Sequence, residues 1–289
     1  MIDFNLGDEI LNRFFGSEKK TTVLYDGSIY MIKYPDPVRE RNNLLSYMNN
    51  QYSEYIGCRV FQSCGLTAQE TALGHFTDAK GINKVVVGCK DFTENGGILH
   101  EFYKLSNQVL IDEKLDVSIE NVMDVISRSN LIKNKDEIMD NFWDMFVVDA
   151  LIGNPDRHLE NWGILYYDGK TSFAPIYDCG SSLAALIDDE KMKSLMENET
   201  EFKSTEFNLT SCYHMNGKRI FYHEIFKSPP APLMKAIARI VPKIMMETVF
   251  DIVDSTPTIS QMRKAYLKKA MQMRYEQILL PAYHDLTTH

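Results

Sequence analysis

The chain has 289 residues, 44% hydrophobic and 25% charged, enough apolar material for one large domain or one two-lobed unit without disulfide support. A net charge of -9 weighs against nucleic acid or an anionic membrane as a partner, so neither is expected; a nucleotide stays compatible because Mg²⁺ brings local positive charge. Five cysteines at irregular spacing, with no CxxC pair, suggest neither a zinc site nor a redox motif and fit free thiols in a reducing cytosol.

The N-terminus reads Met1-Ile2-Asp3-Phe4-Asn5, with Asp8 and Glu9 behind it. It has neither the basic start nor the apolar run of a signal peptide, and no apolar stretch nears the roughly 20 residues of a membrane span. The expectation is a cytoplasmic protein, with secretion that needs no signal peptide left open. Phe15-Gly16-Ser17-Glu18-Lys19-Lys20 precedes a β-prone run. Gly16 and Ser17 are candidates for a loop covering phosphates with its backbone N–H groups, although no G-x-G-x-x-G or G-x-x-x-x-G-K-[ST] pattern accompanies them.

Residues 21–25 are β-prone, Asp26-Gly27 is a hairpin turn signal, and residues 28–33 form a second strand with Ile29, Met31 and Lys33 on one face. Pro35 and Pro37 end the hairpin. Helical spacing follows over 39–49 and 53–63, with Gly65 as a C-cap signal. Residues 84–87 read as a short strand and 88–92 as the segment leading out of it. From about residue 93 the chain reads as mainly helical. Residues 135–153 predict a strongly apolar helix ending at Gly153-Asn154-Pro155, and residues 163–167 and 172–176 flank Asp168-Gly169 as a second hairpin, with Asp178 just beyond. Helical patterning returns over about 233–283, broken near Ser255-Thr256-Pro257. The predicted class is α+β, with a small β-rich lobe over 1–92, a larger helical lobe over 93–289 and a cleft between them.

The informative stretch is Asn154-Pro155-Asp156-Arg157-His158-Leu159-Glu160-Asn161, a loop fixed at both ends by regular structure. Phosphoryl transfer asks little of a protein: a carboxylate at the attacking hydroxyl, oxygen ligands for Mg²⁺, a cation on the phosphates and a covering loop. Asp156 suits the first role. Asn161, five positions later, and Asp178, 22 positions later, are candidate Mg²⁺ ligands. Lys33 is the candidate phosphate cation, and Glu54 is placed to pair with it. Each has a plainer alternative: turn-capping Asp and Asn, a solvated strand-end lysine, a carboxylate favoured at a helix start.

The D-x-x-x-x-N run followed by Asp178-Cys179-Gly180 resembles the protein kinase-like enzymes. The carboxylate-first order Asp156-Arg157-His158 departs from H-R-D. It resembles phosphatidylinositol kinases and, more closely, the HipA-like bacterial serine/threonine kinases. Ala174-Pro175-Ile176-Tyr177-Asp178 is similar to that family's A-P-x-Y-D, Ser53-Glu54-Tyr55-Ile56-Gly57 to a helix segment of its compact branch, and Cys89-Lys90-Asp91-Phe92 to its connector.

The resemblance implies a two-lobed kinase-like fold, ATP and Mg²⁺ as cofactors, and a protein substrate with a Ser or Thr acceptor. It implies Asp156 at the acceptor hydroxyl, His158 as a loop brace, Asn161 and Asp178 on metal, Lys33 with Glu54 at the phosphates, and Cys89 and Asp91 in an adenine-binding connector. It implies Ser17 as a candidate autophosphorylated residue and an antitoxin protein as a candidate partner. The polar, acid-rich stretch 181–213 lacks A-P-E, and Ser204 and Thr205 are candidate phosphosites within it. Two other readings stand beside this one: a kinase of lipid headgroups or small molecules, and a non-catalytic module of a toxin–antitoxin pair.

Overall fold

The computed structural model describes residues 1–11, 20–35, 49–110 and 117–288. The helix expected over 39–49 falls almost wholly outside them, as do Gly16 and Ser17. Six strands make one sheet: β1 (Ile2–Asp3), β2 (Asp8–Ile10), β3 (Lys20–Tyr25), β4 (Ser28–Lys33) and, after helix α1 (Asn50–Ser63), β5 (Thr71–Thr77) and β6 (Asn83–Lys90). Their spatial order is β1-β5-β6-β4-β3-β2. The expected hairpin is β3–β4, in which Asp26 and Gly27 take φ values of 46° and 74°, as a two-residue primed turn requires.

The sheet has two apolar faces. Val23, Ile32, Tyr34 and Val86 pack with Phe4 on one. Gly74 and Gly88 make room for the Phe4 ring, since a Cβ on either would come within 2.6 Å of it. Leu73, Val87 and Cys89 form the other face, with Met31 and with Tyr52 and Tyr55 of α1 against them. Lys33 shares the face of Met31, by the period of two along a strand, and so emerges toward α1.

Strand β6 runs further than the sequence predicts. It pairs with β4 through Gly88, Cys89 and Lys90, so the connector starts at Asp91 rather than at residue 88. Cys89 is therefore a core residue of the sheet, fully buried between Leu73 and Val87, where the sequence reading placed it in the connector.

The rest of the chain is built on α4 (Lys135–Ile152), preceded by β7 (Ile98–Glu101), α2 (Phe102–Val109) and α3 (Ile119–Arg128). Phe142, Trp143, Phe146, Val147 and Leu151 of α4 are buried, and each large apolar side chain so buried contributes about 1.5–3 kcal/mol. Gly153 ends α4 in the left-handed region, at φ 64°. Then come β8 (Gly163–Tyr167) and β9 (Lys170–Phe173), α5 (Asp189–Glu197), α6 (Glu199–Phe207), β10 (Thr210–Met215), β11 (Lys218–Phe221), α7 (Tyr222–Lys227), α8 (Ala231–Ile240), α9 (Met246–Ser255), α10 (Gln261–Arg274) and α11 (Leu280–Thr287).

Two differences from the expectation matter here. Among the described residues the stretch after residue 93 carries five strands. β7 adds to the predicted hairpin to make a three-stranded sheet, and β10–β11 is a further, unpredicted hairpin turning at Asn216-Gly217. The core also crosses residue 92, because Ile56, Val60 and Phe61 of α1 join the apolar cluster of α4. Among the described residues no helix is long and apolar enough to cross a membrane.

Candidate active site

The loop after α4 is organised by a buried ion pair. Asp149, in the last turn of α4, accepts from Arg157 Nε and Nη2 at 3.0 Å each, a bidentate pair with both side chains about 1% exposed. Asn154 Nδ2 donates to Asp149 Oδ1 at 2.9 Å, and Asn154 Oδ1 accepts the Asp156 N–H at 3.0 Å. Arg157 Nη1 also donates to the carbonyls of Asn161 at 2.9 Å, Tyr177, and Asp178 at 3.3 Å. One guanidinium thus joins the end of α4, the loop and the chain returning from β9. Burial penalises its charge, but Asp149 outweighs that and holds its pKa well above the ordinary value.

Three carboxylates gather around this frame. Asp156 Oδ2 accepts from the Ser181 hydroxyl at 3.1 Å. Asn161 Nδ2 donates to the Asp156 carbonyl at 2.6 Å, so its amide nitrogen is engaged by the loop itself. Asp178 has φ 60°, a conformation rare for a residue other than glycine. Its N–H donates to Glu54 Oε1 at 3.0 Å, and its carboxylate forms an ion pair with Lys33. Lys33 Nζ in turn lies 3.2 Å from Glu54 Oε2. Burial alone would raise the Asp178 carboxyl, but the Lys33 ammonium overrides it and holds the pKa below the ordinary range.

Of the predicted residues, Lys33, Glu54 and Asp178 meet in one cluster, while Asp156 and Asn161 share the adjoining loop. His158 accepts the Glu160 N–H on Nδ1 at 3.3 Å, a side-chain contact to the loop backbone, and its Nε2 lies 3.9 Å from Asp156 Oδ1. Its neighbour Arg157 ties the same loop to α4 and to the chain after β9. Asp91 donates its N–H to Ile29 at 2.8 Å and accepts from Thr93 on Oδ1, so it shapes the turn out of β6. Asp149, Arg157 and Ser181 were missed. The one signal for Asp149 was a carboxylate inside the otherwise apolar run 145–152 at the end of the helix, where it must have a buried partner.

The donor set fits a divalent cation. Glu54, Asp156 and Asp178 against Lys33 leave two negative charges, since the Asp149–Arg157 pair cancels itself. Asn161 Oδ1 and the Asp178 carboxylate are the hard oxygen donors that Mg²⁺ prefers.

Residues 14–247 match the HipA-like C-terminal domain. The chain belongs to the HipA-like family. It is an enzyme of the kinase class. This HipA-like chain is 33% identical over 287 residues to the serine/threonine-protein kinase CtkA of Helicobacter pylori, covering 96% of this chain and 86% of that one. It superposes on the crystal structure of that proinflammatory kinase with a TM-score of 0.91 at 32% identity, over 99% and 98% of the two chains. The Shewanella oneidensis HipA, solved with HipB and its operator DNA, shares the fold at a TM-score of 0.55 and 14% identity, over 96% of this chain and 67% of that one.

Proposed function

We propose that this HipA-like chain is an ATP- and Mg²⁺-dependent serine/threonine protein kinase that also phosphorylates itself. The observation that carries the reading is the chain of contacts from Lys33 through Glu54 to Asp178, beside a loop that presents Asp156 and Asn161. Such a chain is what phosphoryl transfer needs, because the work is mostly positioning and charge neutralisation. Lys33 binds phosphate oxygens, oriented by Glu54. Asn161 Oδ1 and Asp178 would hold Mg²⁺, which would supply positive charge to neutralise the phosphates. Asp156 orients the acceptor hydroxyl and takes its proton. The N-terminal and C-terminal parts, 1–92 and 93–289, act as the two sides of the nucleotide cleft. The segment from Asp91 onward is its adenine edge.

A protein acceptor is favoured by the likeness to a kinase named for serine and threonine. Family membership also suggests an antitoxin-type protein partner, tested by co-purification with the product of a neighbouring gene. The net charge of -9 makes direct DNA binding by this chain an unneeded assumption.

The deciding experiment offers labelled ATP and Mg²⁺ with three acceptors in parallel: a cell lysate, anionic phosphoinositide vesicles and an aminoglycoside. Label in protein phosphoserine or phosphothreonine is the expected result. Label confined to lipid or aminoglycoside would contradict a protein acceptor, and no label anywhere would contradict the kinase reading.

A further inference from the structure

The Ser181 hydroxyl donates to Asp156 Oδ2 at 3.1 Å. Among the described residues no other hydroxyl is hydrogen-bonded to that carboxylate. In the reading above, Asp156 is the group that receives an acceptor hydroxyl. A serine hydroxyl therefore already stands where a substrate hydroxyl has to stand, three residues beyond the metal-binding Asp178.

The position is enforced from several sides. Ser182, next in the chain, is fully buried and gives both its N–H and its hydroxyl to the Cys179 carbonyl, at 3.0 and 2.7 Å. The Leu183 N–H donates to Ile152 at the end of α4 at 3.0 Å, and the Ala185 carbonyl accepts the Asn49 N–H at 2.8 Å. Arg263 of α10 donates to the carbonyls of Ala184 and Ile187. Leu183 and Ala184 take φ values of 54° and 51°, two consecutive side-chain-bearing residues in the left-handed region. Strained backbone of this kind persists where the surroundings over-determine it, and it gathers at functional sites. These contacts fix the segment after Asp178 in a course that brings the Ser181 hydroxyl to Asp156. Ser204 and Thr205, the candidate phosphosites read from the sequence, lie exposed on α6.

We infer that Ser181 is the chain's own phosphate acceptor, modified in cis; this rests on the kinase reading above and names the self-acceptor within it. Ser181 Oγ forms the new bond to the γ-phosphorus of ATP as its proton passes to Asp156 Oδ2. The bond from the γ-phosphorus to the β–γ bridging oxygen breaks, and ADP leaves with the electron pair. The product carries a phosphoserine of charge near −2 against the Asp156 carboxylate. A second acceptor then meets both steric exclusion and like-charge repulsion, so the modification limits further transfer.

The test uses the full chain with γ-labelled ATP, Mg²⁺ and an added protein acceptor, followed by phosphosite mapping of wild type, Ser181→Ala and Ser181→Thr. The proposal expects phosphoserine at 181 in wild type and phosphothreonine at 181 in Ser181→Thr. It expects a rate per chain that is unchanged on dilution. Transfer from the fully modified protein to the added acceptor should be lower by roughly tenfold or more, from repulsion at the base. The threonine variant keeps the assay informative even where the alanine variant folds poorly. Labelled acceptor with no phosphate at residue 181 would overturn this inference and leave the kinase reading intact. A rate per chain that falls on dilution would also overturn it. Absence of label from both the chain and the acceptor would overturn the kinase reading itself.

Discussion

Glu54 holds Lys33 at 3.2 Å with one carboxylate oxygen and the backbone N–H of Asp178 at 3.0 Å with the other. Glu54 is fully buried on α1, whose apolar side packs with α4, while Lys33 belongs to the sheet. The pair therefore ties the sheet to the segment that carries Asp178. Glu54→Gln keeps the shape and removes the charge. A hydrogen bond to a charged group is worth about 1.5–3 kcal/mol and about 1.4 kcal/mol is a tenfold rate change, so phosphate transfer should fall roughly ten- to a hundredfold. Steady-state kinetics with varied ATP checks this, and an unchanged rate would show that Lys33 is held by other means.

Arg157→Lys should be among the most damaging single changes. A lysine cannot reproduce the two-pronged contact with Asp149, nor reach the Asn161 and Tyr177 carbonyls as well. Complete loss of one partner from a buried pair costs about 3–5 kcal/mol, and lysine keeps the charge while losing the bidentate geometry. Urea unfolding should therefore show a loss below that figure, with little change in slope.

Local features were legible in the sequence where one short-range rule governed them. The Asp26-Gly27 hairpin, the apolar helix capped by Gly153 and the loop from Asn154 to Asn161 all follow from turn chemistry or periodicity. What was lost depends on tertiary partners. Arg157 sat between two more familiar motif residues, and its acceptors Asp149, Asn161, Tyr177 and Asp178 come from three separate stretches of the chain. The extension of β6 to Lys90 depends on β4 and on the Phe4 ring seated over Gly88, which no window around residue 88 contains. The β10–β11 hairpin did leave a signal, since Asn216-Gly217 is a strong primed-turn pair with φ values of 51° and 72°. Its flanking strands alternate too weakly to draw attention to it.

Acid should destabilise the fold through two carboxylates. The Ile82 and Lys80 N–H groups and the Lys84 ammonium hold Asp78 down at about 2, against an ordinary 3.8. Asp178 is also held low, by Lys33 against the effect of burial. A carboxyl whose pKa is lower folded than unfolded adds stability above the unfolded value and loses it as pH falls through the folded value. The urea midpoint should therefore hold above about pH 4 and decline toward about pH 2, and Asp78→Asn should flatten part of that decline. A midpoint that rises on acidification would contradict the assignment.

The thiols should be inert in the native protein. Contact with the Cys179 thiol, together with burial, pushes Cys58 well above the ordinary 9.0, and burial does the same for Cys89. Burial also raises Cys64 to about 11 and Cys212 to about 12. The thiolate is the reactive form, so iodoacetamide near pH 8 should leave these four unmodified until denaturant is added. Intact-mass analysis checks this, and rapid native labelling of Cys58 would show that α1 opens from the loop after Asp178.

The central claim is that Asp156 serves the acceptor hydroxyl while Lys33, Asn161 and Asp178 serve the nucleotide and its metal. The most direct measurement compares wild type with Asp156→Ala for labelled phosphate transfer and, separately, for ATP binding in the presence of Mg²⁺. The account predicts that transfer is abolished and binding is largely retained. Transfer by Asp156→Ala at the wild-type rate would contradict it.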